Sequence, residues 1–144
     1  MKKLVISMIA VVSAIIMCFA LAGCSKDVKG NTYVFDDIIV EGTIPDEYKD
    51  EMDAMIAGMK EGMAGVSYKF NDDGTVTVTW GESGGDTGYY KQDGKKVYIA
   101  ETKEDLDNVD GEDSNVETYE VDGSKLIATE SEGGMTMKMV FKKK

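Results

Sequence analysis

From Val66 onward the chain follows a two-residue hydropathy period, punctuated by glycine-bearing turns and one acidic loop. Val66, Tyr68 and Phe70 alternate up to Asn71-Asp72-Asp73-Gly74, and Val76, Val78 and Trp80 then alternate with Thr75, Thr77 and Thr79. Side chains two apart point to one face of a strand, so each run buries one face and solvates the other. Short loops holding Asp-Gly or Gly-Gly join such runs as hairpins. A second hairpin runs from Tyr89-Tyr90-Lys91 through Asp93-Gly94 to Val97-Tyr98-Ile99, after a turn spanning Gly81 to Gly88. A third joins Val116–Val121 to Lys125–Thr129 through Asp122-Gly123, and Gly133-Gly134 opens a last strand from Met135 to Lys142.

Two segments precede this region. Asn31 to Val40, NTYVFDDIIV, is aromatic and β-branched and reads as a first strand. Between Asp46 and Ala64 the period changes: Tyr48, Met52, Met55, Ile56, Met59 and Met63 recur at steps of three and four, the signature of an amphipathic helix. Thr43 or Ile44 takes its cap, with Pro45 in the first turn, where a missing N–H costs nothing. Gly58 and Gly62 each cost about 1 kcal/mol relative to alanine, which weakens its second half, and Gly65 stops it. The chain is therefore mostly β: an antiparallel up-and-down barrel of about eight strands, with one helix between strands 1 and 2. Turn spacing equally permits a two-sheet sandwich, because it does not report closure.

The N-terminal segment says where such a domain works. Met1-Lys2-Lys3 is a short positive head, and Leu4 to Ala22 is apolar apart from Ser7 and Ser13, as in a secretory signal helix. The run ends on Leu21-Ala22-Gly23-Cys24, which resembles the lipobox of bacterial lipoproteins. That resemblance implies cleavage after Gly23, a diacylglycerol and palmitate anchor on Cys24, and a site on the extracytoplasmic face of the cell membrane. An uncleaved transmembrane span is the other reading, since the run is about as long as the ~20 residues a bilayer requires. Residues 1–23 are thus the signal, 24–29 the lipidated cysteine and a short linker, and 30–144 the domain. Cys18 leaves with the signal, so no disulfide forms in the mature chain.

Charge and composition exclude whole classes of function. The formal charge is -11, and loss of Lys2 and Lys3 makes the mature chain more negative still. This charge repels nucleic acid and anionic lipid heads and favours a soluble monomer. The chain has no histidine and no arginine, which removes histidine bases, imidazole metal ligands and guanidinium clamps. No catalytic constellation and no cofactor motif stands out, and the expectation is a protein that is not an enzyme. The acidic loop from Glu101 to Ser114 fails the calcium-loop template: Asp105 and Asp107 fit, but Val109 stands at the fifth place and Asp110 where glycine is required.

Methionine is the unusual feature. Met135, Met137 and Met139 share one strand face with Phe141, while Met52, Met55, Met59 and Met63 share one helix face. If the helix closes one end of the barrel, these surfaces meet. They then either fill a core, form an adaptable apolar pocket, or offer thioethers to a soft metal such as Cu(I). With Trp80, these methionines are the candidate ligand-binding residues, and no metal site is assigned.

Four stretches carry a wider resemblance: Gly30-Asn31-Thr32-Tyr33, YKFNDDGTVTV from Tyr68, GYYKQDGKKVYI from Gly88, and YEVDGSKLIATESEGGMTMKMVFKK from Tyr119. Together they resemble the small lipocalin-like domains of bacterial lipoproteins, although Tyr33 stands one place beyond the tryptophan of a lipocalin Gly-x-Trp opening. The resemblance implies a barrel that binds a small apolar ligand. The alternative is a packed barrel that acts as an interaction or inhibitor module for another envelope protein.

Overall fold

The computed structural model describes residues 27–109 and 115–144. The expected signal segment (1–23) and Cys24 lie outside the described residues, as does the tip of the expected acidic loop at 110–114. The remainder is a closed barrel of eight antiparallel strands in sequence order: β1 (Thr32–Glu41), β2 (Val66–Phe70), β3 (Thr75–Trp80), β4 (Gly85–Asp93), β5 (Lys96–Ala100), β6 (Val116–Asp122), β7 (Lys125–Glu132) and β8 (Met135–Lys143). Closure rests on β1, which pairs with β2 on one side and with β8 on the other, from Tyr33 opposite Lys143 to Glu41 opposite Thr136. The ring is closed and the sandwich alternative falls, although β1 pairs with β2 only from Thr32 to Val34 and β6 with β7 only from Glu120 to Asp122.

β1 shows how the sequence is adjusted to the barrel. Strict alternation from Tyr33 and Phe35 would turn Asp37 and Ile39 inward. A register shift between Phe35 and Asp37 absorbs one residue, so that Phe35 pairs with Phe141 while Ile38 pairs with Met139 and Val40 with Met137. Such a bulge resets the facing and bends the strand. Its cost is Ile39, left exposed on the outside.

One half of the interior is filled. Tyr33, Phe70, Val76, Val97, Val121, Leu126 and Phe141 are all at most 1 % exposed and pack as one cluster. Rings meet edge-on within it, Tyr68 with Phe141 at 5.0 Å and Phe70 with Tyr90 at 4.9 Å between centroids. Val28 plugs this end: it is fully buried, its N–H donates to Gln92 Oε1 at 2.9 Å, and Gly30 N–H donates to the Phe70 carbonyl at 2.8 Å. Packing thus begins at Val28, two residues ahead of Gly30.

The helix, α1 (Lys49–Met63), follows a 3-10 turn over Asp46–Tyr48. Neither Thr43 nor Ile44 caps it; Tyr48 stands at its N-cap without a side-chain hydrogen bond, and Pro45, with extended backbone, leads into the 3-10 turn instead. The helix runs unbroken through Gly58 and Gly62, and the chain leaves it at Gly65 with φ +84°. A second, short helix, α2 (Lys103–Asp107), replaces the first part of the expected acidic loop. The Thr102 hydroxyl accepts from Asp105 N–H at 3.2 Å and donates to the Asp105 carboxylate at 2.7 Å, a reciprocal cap that the Thr-Lys-Glu-Asp string encodes. Its Leu106 covers Ala100 and Val116 on the outer wall.

β4 begins at Gly85, inside the stretch expected to be a turn. Its glycines are required by proximity: a Cβ on Gly88 would lie 2.7 Å from the Ala100 carbonyl oxygen, where only backbone movement makes room. Gly88→Ala is therefore expected to destabilise the fold by roughly 1–3 kcal/mol, read as a lower urea midpoint with an unchanged slope. Tyr33 should behave oppositely. Its hydroxyl is buried without a hydrogen-bond partner among the described residues, so Tyr33→Phe is expected to be at least as stable as the wild type in the same titration.

Candidate functional site

The other half of the barrel is unfinished. Along β7 the inward phase set by Leu126 and Ala128 continues to Glu130 and Glu132, which pair with Met137 and Met135 of β8. Along β6 the phase of Val121 and Tyr119 continues to Glu117, opposite Ile99. Thus the apolar lining that fills the plugged end gives way to methionine and carboxylate toward the end where α1 lies.

α1 covers this mouth loosely. None of its residues is buried, and Met52, Ile56, Met59 and Met63 are only half-buried along its inner face. An ion pair between Lys60 and Asp37 at 2.6 Å ties the helix to β1. Hydrogen bonding to Lys60 and to the Ile38 N–H holds the Asp37 carboxyl below its usual range. Beneath the helix lies a half-open recess of about 130 Å³, lined by Val40 and Met135 and Met137 from the barrel, Met52, Met55 and Ile56 from the helix, and Glu130 and Glu132.

The structure divides the eight candidate residues. Met52, Met55, Met135 and Met137 come together around the recess. Met63 and Met139 instead pack against the filled core. Met59 is half-buried on the helix without lining the recess. Trp80 is 48 % exposed opposite Val66 at the rim. The reason is depth: residues on one face of a strand or helix share a direction but not a level, and the levels sort them into core, recess and rim. Sequence reasoning missed Val40, Ile56, Glu130 and Glu132. The period-two continuation Leu126, Ala128, Glu130, Glu132 was the signal that could have found the two carboxylates.

A polar chain runs from the core toward the mouth. The Tyr68 and Tyr119 hydroxyls are 2.9 Å apart, and Tyr119 donates to Glu117 Oε2 at 2.8 Å. Burial pushes the Tyr68 phenol up to about 12, partly offset by its bond to Tyr119. Burial also raises Tyr119 well above its ordinary value, reinforced by charge on Tyr68 and Glu117. Glu130 is raised as well, first by desolvation and then by the charges of Glu117 and Glu132. Among the described residues no group of three or more His, Cys, Asp or Glu side chains is arranged to hold a metal ion, and no helix is long and apolar enough to cross a membrane.

No family model matches the chain, and no curated protein matches it. The arrangement must therefore be read from its own chemistry. It offers an apolar surface, a covering helix that buries none of its own residues, and two carboxylates.

The buried tyrosines make a checkable signature. The unfolded chain ionises its tyrosines near pH 10, whereas the folded chain holds Tyr68 protonated to about 12. A raised native value means that stability is present below pH 10 and lost as pH climbs to 12. Tyr68 alone accounts for a loss on the order of 3 kcal/mol. Denaturant midpoints measured through this range should fall steeply in the wild type and less so in Tyr68→Phe.

Proposed function

We propose that this chain is a lipid-anchored, extracytoplasmic binding protein of lipocalin-like architecture, which holds a small apolar molecule at the barrel mouth and catalyses no reaction. The observation that carries the reading is the apolar recess beneath a helix that buries none of its own residues. The recess is smaller than the ~300–1,000 Å³ of drug-sized sites and close to the ~150 Å³ of a cavity that admits benzene. A single ring or a short branched chain fits it. Unbranched thioether side chains adapt to varied shapes, and a helix tied by a surface ion pair can lift to admit them.

The support for anchorage is the Leu21-Ala22-Gly23-Cys24 string after an apolar run. Because Val28 is packed into the closed end, only three residues separate it from Cys24, a reach of roughly 13 Å. An anchor there puts the plugged end at the bilayer and the recess on the far side, facing the medium. A second reading, an envelope interaction module, draws on Tyr48, Met55 and Trp80, all about half-exposed on the helix and the barrel rim.

Native mass spectrometry of the chain released gently from membranes tests both parts. A diacylglycerol mass is expected on the wild type and not on Cys24→Ser. A small organic mass, lost on denaturation, is expected on the wild type and not on Ile56→Trp, which fills the recess. A chain bare in every preparation would defeat carriage, and a protein mass retained in its place would favour the interaction module.

A further inference from the structure

Within the recess, apolar surface and charge are segregated. Met52, Met55, Met135 and Met137 contribute the thioether wall, and Glu130 and Glu132 enter from β7 alone. Glu117 stands beside them on β6, its charge acting on Glu130, with Tyr119 fixing its carboxylate from the core side. No lysine lines the recess. The nearby lysines are engaged on the outside: Lys60 with Asp37, Lys138 with both oxygens of Glu41 at 2.8 and 2.9 Å, and Lys49 with Asp46. The carboxylates of Glu130 and Glu132 make no side-chain hydrogen bond or ion pair among the described residues.

Carboxylates drawn into apolar surroundings are ordinarily paired, because desolvation of a lone charge is costly. Here the fold partly desolvates Glu130 and gives it no cationic partner, while Glu132 stands exposed beside it at the mouth. A metal ion is poorly served, since the described carboxylates are not gathered into a coordinating group. A cation bonded to an apolar body satisfies both surfaces at once.

Building on the recess as a binding site, we infer that its ligand class is amphipathic amines: a ring-sized apolar body among Met52, Met55, Met135 and Met137, with its ammonium at Glu130 and Glu132. The protonated amine donates up to three charge-assisted hydrogen bonds to these oxygens. A neutral molecule of the same shape gains only the apolar contact, and an anion meets repulsion from three carboxylates. Acid weakens the preference. Because Glu130 takes up its proton at higher pH than an ordinary glutamate, its share of the preference is lost at a higher pH than an ordinary glutamate's would be.

The test compares benzylamine, benzyl alcohol and benzoate, which are similar in size and differ in charge. The processed, lipidated full chain is placed in nanodiscs with 13C-methyl methionine, and the methyl signals of Met52, Met55, Met135 and Met137 report occupancy. At pH 7 benzylamine should bind roughly tenfold more tightly than benzyl alcohol, and benzoate should not bind. Glu130→Gln with Glu132→Gln should erase that preference while benzyl alcohol binding persists, showing that the recess is still formed. Glu130→Gln should also be no less stable than the wild type at pH 7, because it removes a desolvated charge, so loss of preference cannot be loss of fold. Equal affinity for benzylamine and benzyl alcohol, or a preference that survives the double substitution, overturns the amine assignment and leaves the recess reading standing. Failure of all three probes to shift the four methyl signals overturns both.

Discussion

Everything in this molecule depends on the seam between β1 and β8. These strands are the first and last of the chain, and the ladder from Tyr33–Lys143 to Glu41–Thr136 converts a meander into a cylinder. Without it, two long strand edges would expose their N–H and C=O groups. The seam also aligns Val40 with Met137, so the same contact that removes the edges builds one wall of the recess.

Closure creates two ends, and the chain treats them differently. At one end, aromatic and aliphatic side chains plus Val28 exclude solvent. At the other, the inward positions pass to methionine and glutamate, covered by a helix held from outside by Lys60 and Asp37. Most side chains at most 1 % exposed belong to the filled half, whereas α1 at the mouth buries none of its residues. This separation is what allows carboxylates, which cost stability when desolvated, to stand at inward positions of a small domain. The Tyr68–Tyr119–Glu117 chain connects the halves through satisfied hydrogen bonds.

Much of this was legible. Alternation with glycine turns marks β2, β3 and β5 to β8, and the change to helical spacing marks α1, because side-chain period is a local property of the backbone. The misreadings were also physical. The string from Gly81 to Gly88 looks like a turn, yet Gly85 and Gly88 are strand residues whose missing side chains let neighbouring carbonyls approach. Thr102 and Asp105 resemble acidic loop chemistry, yet together they cap a helix.

By itself, the sequence determined α1, the strands apart from the start of β4, their order and, outside the second half of β1, the face each side chain takes, since these follow from backbone periodicity and turn stereochemistry. It equally determined the methionine stripes and the absence of histidine and arginine. Only the tertiary structure decided that the meander closes, that β1 shifts register at Asp36, and how deep each residue lies. Depth is why Met63 and Met139 joined the core, why Trp80 stayed at the rim, and why Glu130 and Glu132 entered the recess. Direction is inherited from neighbours in the chain, whereas depth depends on which distant strand and helix share the same level of the barrel.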